Sequence, residues 1–69
     1  MVDESETPVS AFLKREMKRR KWTYRDLAKF LGVSLSLAHA WGSGSGEPNL
    51  KSVRKIAERF HTSVARLAQ

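Results

Sequence analysis

The sequence predicts an all-α fold, a compact bundle of five short helices, in a chain of 69 residues. Apolar residues recur at spacings of three and four along several stretches, which is the period of an amphipathic helix. A Ser, Thr or Asn stands before these stretches, where such residues cap helices. Long alternating segments and Asn-Gly hairpin signals, which would indicate strands, are absent from the sequence. A chain of this length has room for one domain.

The first predicted helix begins at Thr7-Pro8, where threonine can act as the cap and proline is tolerated at the first helical position. Its apolar stripe consists of Val9, Phe12, Leu13 and Met17. Its outward face carries Lys14, Arg15, Lys18 and Arg19. This helix should therefore lay one side on the core and expose a basic side.

The second predicted helix runs from about Tyr24 to Leu31, with Thr23 as its cap. Trp22, just before the cap, is expected to pack against the first turn as a hydrophobic staple. The inward stripe consists of Leu27, Ala28 and Leu31. Gly32 ends the helix, because only glycine enters left-handed backbone conformations at little cost.

The third predicted helix runs from about Leu35 to Trp41, with Ser34 as its cap. Its expected inner face consists of Leu37, Ala38 and Trp41. Two helices that cross steeply over a short turn containing glycine form a helix-turn-helix, whose second helix can enter the major groove of DNA. The stretch from residue 23 to residue 41 thus bears directly on function.

Residues 42–48, GSGSGEP, are predicted to form a loop from their composition. Asn49 then caps a fourth helix, whose apolar stripe consists of Leu50, Val53, Ile56, Ala57 and Phe60. The opposite face of that helix carries Lys51, Arg54, Lys55 and Arg59. Either Thr62 or Ser63 caps a last short helix, from about Val64 to Ala68.

The net charge of +6 is distributed unevenly along the chain. Residues 1–7 form an acidic tail, expected to be flexible, with Asp3, Glu4 and Glu6 and no base. Residues 8–69, the predicted domain, hold 13 basic and four acidic side chains, a formal charge of +9. So basic a small domain favours a polyanionic partner, nucleic acid ahead of an anionic membrane surface. A solvated basic face that only keeps the protein soluble is the alternative.

Several classes of function are disfavoured. The chain has no cysteine and only two histidines, so no disulfide, metal site or cofactor is expected. An enzyme is disfavoured because the few acids are scattered and no glycine-rich phosphate loop exists. No apolar run approaches membrane-spanning length and no secretory signal is present, which favours a cytoplasmic protein. No small-molecule ligand is predicted.

Three motifs resemble the DNA-binding domain of the phage-repressor and Cro group, also called XRE-type regulators. Residues 23–34, TYRDLAKFLGVS, are similar to the family pattern T-Q-x-x-L-A-x-x-L-G-V-S. Trp41, Gly44 and Pro48 supply a W-x-x-G-x-x-x-P frame, and residues 50–67 resemble the closing helix pair of the family. The resemblance covers roughly residues 8–68. It implies a lambda-repressor-like helix-turn-helix domain that binds double-stranded DNA, with helix 3 in the major groove.

The chain departs from the family pattern at positions that matter for reading DNA. Members often carry glutamine, which can pair with adenine, where this chain has Tyr24 and Leu35. Members also often pair an Arg near the end of helix 1 with a Glu after the Trp. Met17 and Gly42 stand there instead, and losing both charges costs less than leaving one buried and unpaired.

The predicted base contacts lie on the outward side of helix 3 and comprise Leu35, Ser36, His39 and Ala40. Ser36 can bond to base edges or phosphate, and Leu35 and Ala40 can meet a thymine methyl group. His39 can bond to a guanine acceptor or a phosphate. The alternatives are that His39 is merely solvated and that Leu35 serves protein contact or helix packing.

Predicted phosphate contacts, carried over from family position or from charge near the predicted face, are Thr23, Tyr24, Arg25, Ser34, Ser43, Ser45 and Lys51. The start of helix 2 should face one DNA strand, and the serines the other strand. Simple solvent exposure is the alternative for each basic side chain.

Two functions from different classes follow. The leading hypothesis is a sequence-specific transcriptional regulator of prokaryotic or phage type. The alternative is a protein-interaction module, or an antitoxin or controller-type regulator, that keeps the fold with weak or no base readout. A homodimer formed through the last helix is a further hypothesis, since members of the resembled family frequently bind as two-fold dimers.

Overall fold

The computed structural model describes residues 7–67, which form five helices and contain no strand within that range. The helices are α1 (Pro8–Arg20), α2 (Tyr24–Leu31), α3 (Leu35–Ser43), α4 (Leu50–Arg59) and α5 (Val64–Leu67). The predicted all-α bundle of five short helices is confirmed. The predicted acidic tail up to residue 6 and the predicted helical residue Ala68 lie outside the described residues.

Side-chain caps begin the helices at the predicted residues, which are Thr7, Thr23, Ser34, Asn49 and Ser63. The hydroxyl of Thr7 accepts from the N–H of Ser10 at 3.1 Å, and the Ser10 hydroxyl accepts from the N–H of Thr7 at 2.7 Å. Ser63 accepts from the N–H of Arg66 at 3.2 Å, which settles the choice of the last cap. Each cap satisfies a backbone donor that the helix itself leaves open.

The core is built where the apolar stripes of the helices meet. Its buried apolar residues are Phe12, Leu13, Leu27, Ala28, Leu31, Ala38, Trp41, Ile56, Ala57 and Leu67. Aromatic rings continue this core towards α4, with Trp22 4.9 Å from Phe30 and Phe30 4.8 Å from Phe60, measured between ring centroids. Phe12 and Phe60, which lie on the predicted apolar stripes, and Trp22, the predicted hydrophobic staple, are thus packing residues, as predicted.

Two leucines that were predicted to face inward are largely exposed. Leu37 is 40% exposed, because Ala38 and Trp41 occupy the inward side of α3 and a helix turns by about 100° per residue. Leu50, the first residue of α4, is 60% exposed. The predicted inner face of helix 3 and the predicted stripe of helix 4 are wrong at these two positions.

The third helix is longer than predicted. Gly42 and Ser43, which were assigned to the loop, belong to α3, and Gly42 is buried. The last residue of the helix is Ser43, and its C-cap is Gly44, whose φ of 86° lies in the left-handed region that favours glycine. α3 packs on both α1 and α2, so its position is set from two sides.

Candidate nucleic-acid interface

The outward side of α3 is open to solvent in the described part of the chain. Leu35 is 48% exposed, Ser36 and His39 are exposed, and Ala40 is half-buried. The opposite side holds Ala38 and is anchored in the core. A helix held in this way presents a fixed surface to a partner.

A shallow groove brings six of the predicted site residues together: Tyr24, Leu35, Ser36, His39, Ala40 and Ser45. They come from the start of α2, the outer side of α3 and the loop that follows α3. The groove is lined by apolar side chains together with three hydroxyl groups, those of Tyr24, Ser36 and Ser45, and one imidazole. Those groups can contact a methyl group and hydrogen-bond to the edges of bases.

The ring of Tyr24 lies against α3 at one end of this groove. Its centroid is 4.6 Å from that of the His39 ring, and the two planes are inclined at 59°. A Cβ atom built on Gly42 would lie 2.6 Å from Cε1 of Tyr24, far inside van der Waals contact. Tyr24 therefore rests where any side chain at position 42 would stand.

This role of Gly42 was not predicted from the sequence. Gly42 was expected to lie in a loop, at a position where members of the resembled family often carry glutamate. One signal was available, because glycine inside a helix is unfavourable and often marks a close approach of another group. The length of α3 had to be known before that signal could be used.

The start of α2 offers two backbone donors. Thr23 and Asp26 form a capping box, with the Thr23 hydroxyl 3.2 Å from the N–H of Asp26 and the Asp26 carboxylate 2.9 Å from the N–H of Thr23. The N–H groups of Tyr24 and Arg25 have no hydrogen-bond partner among the described residues. They are available to an anion such as a phosphate.

The hydroxyl of Thr23 is already engaged. It donates to the carboxylate of Asp26 at 3.1 Å, so it can donate to a phosphate only after leaving that partner. The backbone hydrogen bond from Thr23, followed by the one from its hydroxyl, lowers the pKa of Asp26 below its ordinary value. Asp26 thus carries its charge close to the start of α2.

The start of α3 has a side-chain cap without the reciprocal bond of a capping box. The Ser34 hydroxyl accepts from the N–H of Leu37 at 3.1 Å, and the N–H groups of Leu35 and Ser36 have no partner among residues 7–67. Ser34 is exposed. A second pair of backbone donors thus stands beside the groove.

Ser43 and Ser45, both predicted to lie in the loop, occupy different places. Ser45 lines the groove, whereas Ser43 is half-buried in the last turn of α3. Their hydroxyl oxygens are 3.1 Å apart, and that of Ser43 is also 3.5 Å from the carbonyl oxygen of Ala40. Ser43 is thus better placed to hold Ser45 than to reach a ligand itself.

Lys51 lies outside the groove, on a neighbouring depression between α3 and α4. The residues that line this depression include the exposed Leu37 and Leu50, the bases Arg54 and Lys55, and the acid Glu58. The sequence predicted all three bases on the outward face of α4, but only Lys51 was predicted to contact phosphate. The spacing of Arg54 and Lys55, three and four residues from Lys51, places all three on one side of α4.

Arg25, the other predicted base, is exposed at the start of α2 and lines neither surface.

Two bases at the end of α1 share one acid. Arg19 and Arg20 lie 2.6 Å and 3.2 Å from the same carboxylate oxygen of Glu16. Burial by itself would raise the pKa of Glu16, but hydrogen bonds from the two arginines outweigh burial and lower it. Arg20 also lies 4.9 Å from the ring centroid of Trp22, a cation–π contact. Arg19 and Arg20 therefore also make contacts within the folded domain.

A family model described as helix-turn-helix matches residues 13–67, a stretch that begins within α1 and ends with α5. No curated protein and no solved structure shows significant similarity to the chain. Within residues 7–67, every helix is too short or too polar to cross a membrane. The same range contains no group of three side chains suited to binding a metal ion.

Proposed function

The chain belongs to the helix-turn-helix family, in its XRE or lambda-repressor-like branch, and on this premise we propose that it is a sequence-specific regulator of transcription that binds double-stranded DNA. Members of this family are DNA-binding regulatory domains rather than enzymes. The regulator is of prokaryotic or phage type and acts at the nucleoid. The observation that carries the proposal is the open groove along the outer side of α3.

Dimensions support insertion of α3 into the major groove. The helix has nine residues, a length of about 14 Å at 1.5 Å per residue. The major groove is about 12 Å wide and admits an α-helix with its side chains. The core-facing side of α3 stays on α1 and α2, so the outer side reaches the bases without rearrangement of the bundle.

Backbone donors at two helix starts supply phosphate contacts. The N–H groups of Tyr24 and Arg25 at the start of α2, and those of Leu35 and Ser36 at the start of α3, have no partner among residues 7–67. Each helix start carries a partial positive charge that favours an anion. Such contacts fix the orientation of the protein on the duplex without reading its sequence.

Basic side chains supply most of the affinity. Lys51, Arg54 and Lys55 line the depression beside the groove, and Arg25 stands exposed at the start of α2. Their contacts with phosphates release condensed counterions, which strengthens binding most at low salt. The bases of α1 attract the duplex at longer range.

The side chains that line the groove read the bases. Ser36 and His39 hydrogen-bond to base edges, while Leu35 and Ala40 contact a thymine methyl group. Ser34, Ser43 and Ser45 act at the backbone of the second strand, with Ser43 acting through Ser45. Thr23 acts chiefly as the cap that holds the start of α2 in place.

Fluorescence anisotropy with labelled DNA tests this function. We expect the logarithm of the association constant to fall linearly with the logarithm of salt concentration, by about 0.9 per phosphate contact. Selection of bound sites from a random pool should yield a consensus sequence. Absence of binding to pooled genomic DNA even at low salt would rule out the proposal.

A second candidate function is a protein-interaction module. Leu37 and Leu50, 40% and 60% exposed, favour it, because they line the depression between α3 and α4 with apolar surface. An antitoxin or controller would combine this surface with DNA binding. A stable complex with a partner protein in sedimentation and pull-down experiments, without DNA affinity, would favour the module over the regulator.

We also propose that the protein binds DNA as a homodimer through the region of α5. An apolar depression there is lined by Val9, Val53, Val64 and Leu67, among others. A two-fold dimer would place two copies of α3 about one helical turn of DNA apart. Sedimentation that gives a monomer mass at all concentrations, with and without operator DNA, would contradict this arrangement.

A further inference from the structure

We propose that Gly42 and Tyr24 together position the imidazole of His39, and that this arrangement determines which base the protein prefers opposite His39. Gly42 is a positioning residue in this scheme, because it acts only through Tyr24. The inference rests on the proposed function, since it concerns the specificity of the same groove.

The three residues meet on one side of α3. His39 and Gly42 are three positions apart and so lie on adjacent turns of the same helix side. The Tyr24 ring reaches across from α2, with its centroid 4.6 Å from that of His39 and its Cε1 atom 2.6 Å from the position of a Cβ on residue 42. Because residue 42 is glycine and has no side chain, there is room for that ring.

Backbone conformation gives no reason for glycine at position 42. Gly32 and Gly44 have positive φ and need glycine for that reason, but Gly42 lies within α3 and is not among the residues with positive φ. Glycine in a helix interior is less stable than alanine. Close approach of Tyr24 is therefore the physical reason for this residue that the structure offers.

The contact restricts His39. An exposed imidazole samples several rotamers, and ordering it on DNA costs conformational entropy. A ring that already packs on Tyr24 loses less freedom when it binds, and His39 lines the groove together with Ser36. Preorganisation of this kind increases the preference for one base over another.

Gly42→Ala is the central test. The added methyl group collides with the end of a rotatable side chain rather than with backbone, so the Tyr24 ring can turn away while the bundle stays folded. Thermal unfolding should show a cooperative transition close to that of the natural protein. NMR should show loss of the nuclear Overhauser contacts between the Tyr24 and His39 rings.

The DNA readout is the ratio of affinities for the selected site and for the same site changed at the base opposite His39. We expect Gly42→Ala to lower this ratio about fivefold, the low end of what a base contact supplies. Affinity for pooled genomic DNA should fall much less. Tyr24→Phe keeps the ring and should keep the order of base preference, even if the lost hydroxyl weakens binding to all sequences alike.

A double-mutant cycle separates this mechanism from a merely structural effect. If Gly42 acts through the Tyr24 ring, Gly42→Ala should change base preference in the natural background and leave it unchanged in the Tyr24→Ala background. Equal effects in both backgrounds would overturn the inference. Retained ring contacts in Gly42→Ala, or an unchanged affinity ratio, would also overturn it.

Failure of this inference can be distinguished from failure of the proposed function. A natural protein that binds no DNA refutes the regulator, and the specificity inference falls with it. A natural protein that binds a selected site, beside a Gly42→Ala variant with the same base preference, refutes only the role of Gly42 and Tyr24.

Discussion

At the scale of single residues, charge and hydrogen-bonding capacity divide the proposed interface into groups that read bases and groups that bind phosphate. Ser36 and His39 are the only side chains of the α3 outer surface in the groove that can hydrogen-bond to a base edge. Lys51 lies on the neighbouring depression. Substitutions at these positions should therefore differ in kind as well as in size.

Ser36→Ala and His39→Ala should each reduce discrimination between the selected site and its single-base variants. A lost base contact is worth about 1 kcal/mol or more of discrimination, whereas the contacts with phosphate remain. Anisotropy titration on a panel of single-base variants measures the effect. Uniform weakening on every sequence would show that these residues do not read bases.

Lys51→Ala should instead weaken binding by a similar factor on all sequences. One phosphate contact fewer should flatten the slope of log K against log salt by about one. Lys29→Ala is the matched control, since Lys29 is an exposed lysine that lines neither surface. If the two variants have the same slope, Lys51 has no special contact with the backbone of DNA.

Asp26 should make the fold sensitive to acid. Its pKa is lowered in the folded protein by hydrogen bonds from Thr23, so its stabilising effect is present above the ordinary aspartate pKa of about 4 and is lost as the pH falls through the lower folded value. The melting temperature of Asp26→Asn should therefore change less than that of the natural protein between pH 6 and about pH 2. An identical loss in both proteins would contradict this role.

At the scale of elements, two glycines in one short segment serve opposite purposes. Gly42 sits inside α3 and provides space, whereas Gly44 ends the helix with φ of 86°. Composition alone describes the segment from residue 42 to residue 48 as a loop. The first two residues of this segment, Gly42 and Ser43, still belong to α3, and the left-handed turn that ends the helix comes only at Gly44.

Gly44→Ala should destabilise the protein by about 1 kcal/mol, because a Cβ atom is strained at positive φ. Gly42→Ala should have a much smaller effect on stability, since alanine favours the helix and only a side chain has to move. Urea unfolding of the two variants side by side measures the difference. Equal losses of unfolding free energy would mean that neither glycine has the role assigned to it.

At the scale of the whole molecule, one small core holds α3 in place for binding. The described chain extends over only 30 × 23 × 21 Å. A domain of this size has an unfolding free energy of roughly 3–10 kcal/mol. The groove, the backbone donors at the helix starts and the contact between Tyr24 and His39 all depend on this small unfolding free energy, because they exist only in the folded domain.

Leu27→Ala should lower the unfolding free energy by about 2–5 kcal/mol, because the side chain is fully buried and its removal leaves a cavity. Leu37→Ala is the matched control, since Leu37 is 40% exposed. Thermal unfolding followed by circular dichroism should show a large fall in melting temperature for the first and a small one for the second. The reverse order would contradict the packing of α2 and α3.

The amino-acid sequence was sufficient to predict the five helices, their caps at Thr7, Thr23, Ser34 and Asn49, and the exposure of Ser36 and His39. Those features follow from local chemistry, namely which residues accept a hydrogen bond from a helix start and how apolar residues repeat along it. The exposure of Leu37 and the close approach of the Tyr24 ring to Gly42 became evident only from the packed helices. Both depend on how α2 and α3 are rotated against each other, because side chains distant in sequence compete there for one volume.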